Sequence, residues 1–194
     1  MKQILATKRL FLREMGQEDY SDLSSLLQDR AVMYAYEHDF TAEDVQEWLD
    51  RQLRRYREDG YGLWAMILRE TGEFIGQVGL TRQDAAGEEV LEIGYLLKHA
   101  FWHQGFASEA TEACKEYAFQ ILHAPKVCSI IKADNIASQK VAKGLGMKKV
   151  KEFKKTFYNG QLVNFLYEEK KKMNFQYKIT LLKINPSASD TLPD

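Results

Sequence analysis

The stretch LEIGYLLKHAFWHQGFASEA, residues 91–110, carries the reading of the fold. It starts inside a strand, EEVLEIGYLLK, whose second half has apolar residues on both faces and is expected to be buried. It then crosses a loop, 101–107, that has no formal charge and one glycine. A helix is expected from Ser108 to about Leu122, with Ala110, Ala113, Cys114, Tyr117, Ala118 and Ile121 on its inner face. The next apolar segment, KVCSIIKA, is a strand again. Strand, helix, strand is one βαβ crossover, with the loop at its first turn.

Upstream, TKRLFLREM alternates Leu10 and Leu12 against Arg9, Phe11 and Arg13, which predicts a first strand. GQEDYSDLSSLLQD places Leu23, Leu26 and Leu27 at helical spacing. FTAEDVQEWLDRQLRRYRED is a longer helix, with Thr41 as its N-cap, Asp44 three residues on, and a stripe of Val45, Trp48, Leu49, Leu53 and Tyr56. Gly60 and Gly62 end it, and two strands follow, Leu63–Leu68 and Glu73–Leu80, turning at Thr71-Gly72. Downstream, NIASQKVAKGLGM predicts a helix stopped by Gly144 and Gly146. KKVKEFKKTFYNGQLVNFLYEEKK predicts a hairpin turning at Asn159-Gly160. The fold class is α+β in three layers: a mixed, mostly antiparallel twisted sheet flanked by helices, with one central βαβ crossover. Residues 1–172 form the domain, and residues 173–194 a C-terminal extension. In it, NFQYKITLLKI alternates Phe175, Tyr177, Ile179 and Leu181, and is read as a strand that packs on its own domain or on a second subunit of a homodimer.

The 194 residues are 45% hydrophobic, which suits a globular chain, and the formal net charge of −1 argues against a general nucleic-acid binder. Cys114 and Cys128 form no metal-ligand or disulfide pattern, so no metal site is expected and both are read as buried thiols of a reducing cytoplasm. No apolar run has the length of a membrane span, and MKQILATKRLFLRE is too interrupted by charge for a signal peptide. A cytoplasmic location is expected.

A helix N-terminus offers free N–H groups and the positive end of the helix dipole, so an anion at the loop needs no charged side chain. Gly105 admits a ligand against the backbone and can take positive φ, and Ala107 keeps the next turn low. The loop therefore suits a pyrophosphate, and two ligands fit. One is a dinucleotide: Gly105-x-Ala107-x-x-Ala110 is a degenerate glycine fingerprint, and Asp134 ends the following strand. That fold needs several βαβ units, and this chain has one. The other ligand is coenzyme A.

TKRLFLREM, GEFIGQVGL, LEIGYLLKHAFWHQGFASEA and ADNIASQKVAKGLGM, in this order over about residues 7–170, resemble the GNAT superfamily of acetyl-CoA-dependent N-acetyltransferases. The branch they resemble acetylates N-terminal Ala or Ser of ribosomal proteins. The resemblance implies acetyl transfer from acetyl-CoA, the co-substrate, to a primary amine of a small molecule or protein N-terminus. Of the family loop, Q/R-x-x-G-x-G/A, this chain has Trp102 at the first position and Gly105 and Ala107 at the small ones. The amides of His103, Gln104, Gly105, Phe106, Ala107 and Ser108 are implied to hold the pyrophosphate. Tyr95, Leu96 and Leu97 are implied to pair their backbone with the pantetheine arm, which Asn135 also reaches, and Ser138 points toward the thioester sulfur. Many members have a tyrosine acid seven residues after the Asn, where this chain has Ala142. That departure leaves a catalytically silent acyl-CoA-binding or sensor module as the alternative.

The remaining candidates have plain readings beside the functional ones. Phe101 and Trp102 also suit a core or rim, and Asn135 and Ser138 a helix cap. Glu92 stands in an apolar strand, on a face with Val90 and Gly94, and is a candidate general base if that face looks into a cleft. Glu109 and Glu112 are expected to face away from the loop. The acidic run Glu37, Asp39, Glu43, Asp44, Glu47 and Asp50 either attracts a cationic acceptor or is a solvated helix face.

Overall fold

The computed structural model describes residues 2–158 and 160–171. Its strands are β1 (Gln3–Ala6), β2 (Leu10–Arg13), β3 (Leu63–Leu68), β4 (Phe74–Asp84), β5 (Glu89–Leu97), β6 (Lys126–Lys132), β7 (Lys148–Phe157) and β8 (Gly160–Lys170). Its helices are α1 (Tyr20–Leu27), α2 (Arg30–Met33), α3 (Ala42–Glu58), α4 (Phe106–Gln120) and α5 (Ile136–Gly144). The strands form one sheet in the order β1-β2-β3-β4-β5-β6-β8-β7. All neighbours are antiparallel except β5 and β6, the two strands joined through α4. The expected mixed, mostly antiparallel sheet with one central crossover is the observed one.

Alternation along β3 builds the three layers. Trp64 and Met66 point into a core shared with Cys114 and Ala118 of α4, while Leu63, Ala65 and Ile67 point into a second core with Leu23 and Leu26 of α1 and Val45 and Leu49 of α3. Burial of each such side chain contributes about 1.5–3 kcal/mol before chain entropy is counted. Gly79 is required by close approach, since a Cβ there would lie 2.0 Å from the Gly62 carbonyl oxygen. Thr41 caps α3 with a full capping box through Asp44, as the spacing predicts.

Several expectations are corrected. The N-terminal QILA forms an additional edge strand, β1; four half-exposed residues carry too little alternation to announce it. α2 and the 3-10 turn Tyr34–Tyr36 fill the stretch between the two expected helices, for which the sequence predicts no element. β4 runs four residues past Leu80, because Thr81 to Asp84 continue the ladder with Glu92 to Glu89. α4 begins at Phe106, two residues before Ser108, and ends at Gln120. Ile121 therefore falls outside the helix and is 61% exposed, while Leu122 packs against the core instead. The hairpin is present, with Phe157 opposite Gly160, but Asn159 of its expected turn lies outside the described residues. So do the expected strand within 173–194 and the boundary before it. Among the described residues, no helix is long and apolar enough to cross a membrane.

Candidate functional site

The parallel pair β5 and β6 shares one ladder partner, Glu92 opposite Cys128. Past that pair β5 keeps only β4 as its ladder partner and β6 only β8, and 93–97 and 129–132 line a cleft of about 970 Å³. Glu92 sits at the point of the splay. Its Oε1 accepts from the Ile130 amide at 3.3 Å and its Oε2 from Thr81 Oγ1 at 3.4 Å. The carboxylate thus takes over a backbone N–H that the parted ladder leaves free. Burial pushes the Glu92 carboxyl up, against the pull of Lys155, the Ile130 amide, Thr81 and Arg55. A carboxyl raised by burial on the cleft wall is a stronger proton acceptor than an ordinary glutamate.

At one end the cleft is walled by the loop before α4. Gly105 is the N-cap of α4 with φ +80°, and His103 also has positive φ, +59°. The first helical bond is Glu109 N to Gly105 O, 3.0 Å, so the amides of Phe106, Ala107 and Ser108 stand ahead of it at the cleft wall. His103, Gly105, Phe106, Ala107 and Ser108 line the cleft. Gln104 does not: its side chain donates to the Ala100 carbonyl at 3.0 Å, and its own carbonyl accepts from Arg9 Nη1 at 2.9 Å. Trp102 Nε1 donates to the Leu97 carbonyl at 2.8 Å, tying the loop to the end of β5. The loop geometry and the splay fit a pyrophosphate followed by an extended arm.

Tyr95, Leu96 and Leu97 line the cleft from β5, and Asn135 and Ser138 from α5. Asn135 is the cap of α5, its Oδ1 accepting from the Ser138 amide at 3.0 Å. Ser138 Oγ lies 3.1 Å from Tyr95 Oη. Burial pushes the Tyr95 phenol up, and the Ser138 bond partly offsets it. The chain thus has a half-buried phenol beside Ser138, although position 142 is alanine.

Arg9 is a residue that sequence reasoning missed. Its Nε donates to Glu109 Oε2 at 2.6 Å, its amide to Glu109 Oε1 at 2.8 Å, and its guanidinium stacks 4.2 Å above the Phe106 ring. Partial burial pushes the Glu109 carboxyl up, but the bonds from Thr7 and Arg9 outweigh it and hold it below its ordinary value. Glu109 therefore faces away from the cleft, as does Glu112, paired with Lys115 at 2.9 Å. No local signal could have linked Arg9 to a loop 95 residues away.

The other end of the cleft is built from side chains of α3, β4 and the β7–β8 hairpin. Arg51 and Arg55 enter from α3 and Lys155 from β7. Buried Gln52, also unannounced by the apolar stripe, accepts from Arg55 Nη1 at 3.3 Å and from the Leu63 amide at 3.1 Å. Burial, then the charge of Arg51, pulls Arg55 below the ordinary arginine value. Tyr36 stands edge-on to Phe157 at 5.9 Å, and His38 stacks on Tyr158 at 4.0 Å. The segment before α3 and the hairpin thus meet over this end.

The acidic run lies elsewhere. Asp44 caps α3 and bonds His38 at 3.0 Å, Asp39 pairs with Arg30 at 2.7 Å, Glu37 pairs with Lys132 at 2.6 Å, and Glu43, Glu47 and Asp50 are exposed. Cys114 and Cys128 are buried thiols, both pushed up by burial, Cys128 to about 11. Among the described residues, no three His, Cys, Asp or Glu side chains converge as metal ligands.

A family model described as an acetyltransferase (GNAT) domain matches residues 9–148. The uncharacterized protein YkkB of Bacillus subtilis (strain 168) is 35% identical over 79% of this chain and 90% of its own. The uncharacterized N-acetyltransferase YnaD of the same organism is 30% identical over 80% and 89%. The solved structure of a ribosomal L7/L12 α-N-protein acetyltransferase in complex with coenzyme A has the same fold, with a TM-score of 0.72 over 87% of this chain and 98% of that chain, at 16% identity.

Proposed function

The chain belongs to the GNAT acetyltransferase family, whose general reaction is acetyl transfer to an amine, and on that premise we propose that it moves acetyl from acetyl-CoA to a primary amine by direct attack in a ternary complex. Acetyl-CoA supplies the acetyl group activated as a thioester. One observation carries the reading: the splay of β5 from β6, the loop before α4 and the raised Glu92 carboxyl open into a single cleft.

The backbone amides of His103, Gly105, Phe106, Ala107 and Ser108 hold the pyrophosphate, while Gln104 is turned toward Ala100 and Arg9 and takes no part. The backbone of Tyr95 to Leu97 and the cap residue Asn135 flank the arm. Glu92 is the general base. An amine attacks only when neutral, and deprotonating a lysine-like amine of pKa ~10.4 at pH 7 costs about 4–5 kcal/mol, against about 1 for an α-amine near 7.7. A carboxyl raised by burial is the better acceptor of that proton. The proton at Tyr95 Oη or Ser138 Oγ is the one available to the departing thiolate, and this pair stands in for the tyrosine missing at Ala142.

The test is thiol release from acetyl-CoA over a panel of primary amines, with wild type and Glu92→Gln. The expected result is turnover with at least one amine, a kcat lowered about a hundredfold by E92Q, and an unchanged Kd for acetyl-CoA. Tight acetyl-CoA binding with no thiol release from any amine would instead identify a silent acyl-CoA-binding module.

A further inference from the structure

The acceptor end of the cleft carries an excess of positive charge. Arg51, Arg55 and Lys155 line it, and among the described residues Glu92 is the single carboxylate on the cleft wall. Arg55 bonds the neutral Gln52, Lys155 Nζ bonds the neutral Gln83 at 3.2 Å, and Arg51 lies 5.7 Å over the Trp48 ring. Among the described residues, none of the three has a carboxylate oxygen within ion-pair distance. Cations elsewhere around the cleft do: Lys132 is held by Glu37 and Asp134, and Arg9 by Glu109. Lys140 stands on α5, beside the coenzyme half.

Arg55 and Lys155 feel the Glu92 carboxylate only at longer range, and three cations against one carboxylate in a partly desolvated cleft attract a further anion, since such a site focuses the field and water screens it less than at an open surface. A guanidinium also matches a carboxylate with two parallel hydrogen bonds. The contact of Tyr36 with Phe157 and of His38 with Tyr158 closes this end over. The enclosure suits a small molecule better than the end of a folded polypeptide. Resting on the transferase reading, we infer that the acceptor is a small amine that also bears a carboxylate, held by Arg51, Arg55 and Lys155 while its amine faces Glu92.

The test is calorimetric binding of a panel of L-amino acids and their carboxamides, with spermidine and 2-aminoethylphosphonate, to the protein with and without coenzyme A. At least one amino acid is expected to bind about tenfold or more tightly than its amide, and spermidine not at all. Arg51→Met and Lys155→Met are each expected to weaken that amino acid about tenfold and leave its amide unchanged. Both positions are part-exposed, so two independent variants guard against misfolding of either. Amides or spermidine binding as tightly as the acids would overturn the inference. The phosphonate binding more tightly than every acid would overturn the choice of carboxylate. Acid-over-amide preference in a protein that fails to bind acetyl-CoA would sink the transferase reading and keep the anion site.

Discussion

The two ends of the cleft are built on different principles. The coenzyme end is mostly backbone: a helix start, a glycine at φ +80°, and a strand parted from its neighbour after one ladder pair. The acceptor end is mostly side chain: two arginines one helical turn apart, a lysine about a hundred residues later, and aromatic rings brought together from separate segments. Backbone recognition constrains local sequence, because it needs glycine and small residues at fixed spacing. Side-chain recognition leaves only scattered residue types, whose convergence exists in three dimensions.

The largest effect expected from breaking this division is at the glycine. Gly105→Val places a β-branched side chain at positive φ, on the wall where the ligand backbone must approach. A Cβ there meets only Arg9 Nη2, at 3.5 Å, so the core is spared. Acetyl-CoA affinity measured by calorimetry is expected to fall about a hundredfold, about 2.7 kcal/mol, with folding intact by circular dichroism.

Glu92→Gln comes next, and it separates activity from stability. The folded chain holds the Glu92 proton to higher pH than the unfolded chain, whose carboxyl titrates near 4.5. Above 4.5 and up to the folded value the folded state binds more protons, so stability falls as pH rises through that window. Glutamine escapes the loss. At neutral pH E92Q is expected to be more stable, with a higher Tm than wild type, while kcat drops. Below pH 4 the Tm difference should vanish. A lower Tm at neutral pH would show that the carboxylate is held mainly by attraction.

Tyr95→Phe and Ser138→Ala each remove one side of the 3.1 Å contact. Each is expected to lower kcat by about tenfold, and the double variant by little more, because the two hydroxyls act as one unit. Fully multiplicative losses would make them independent. Trp102→Phe loses the bond to the Leu97 carbonyl, and the KM for acetyl-CoA should rise by about two- to tenfold, without a change in kcat.

The same division decides what the sequence shows. The alternation of Leu10 with Leu12, the capping spacing of Thr41 and Asp44, and the strand-loop-helix at 91–110 are local signals, and each appears in the fold. β1 has no buried residue and no alternation, and α2 is a single turn, too short for a helical period to emerge. Arg9 against Glu109, Gln52 holding Arg55, and Tyr95 beside Ser138 are contacts between elements, invisible until the sheet places them. The acidic run draws the eye as a block, yet its members cap, pair or face solvent. The charge proposed to hold the acceptor comes instead from Arg51, Arg55 and Lys155, members of the basic stretches RQLRRYR and KKVKEFKK whose convergence on one cleft only the fold shows.

Calorimetric titration with acetyl-CoA, with NADH as control, tests the central claim most directly, because every assignment in the cleft depends on what the loop grips. Micromolar acetyl-CoA binding by the wild type, loss of it in G105V and no response to NADH are the predicted results. Absence of acetyl-CoA binding by the folded wild type would contradict the account, and would leave a GNAT fold whose loop serves another ligand.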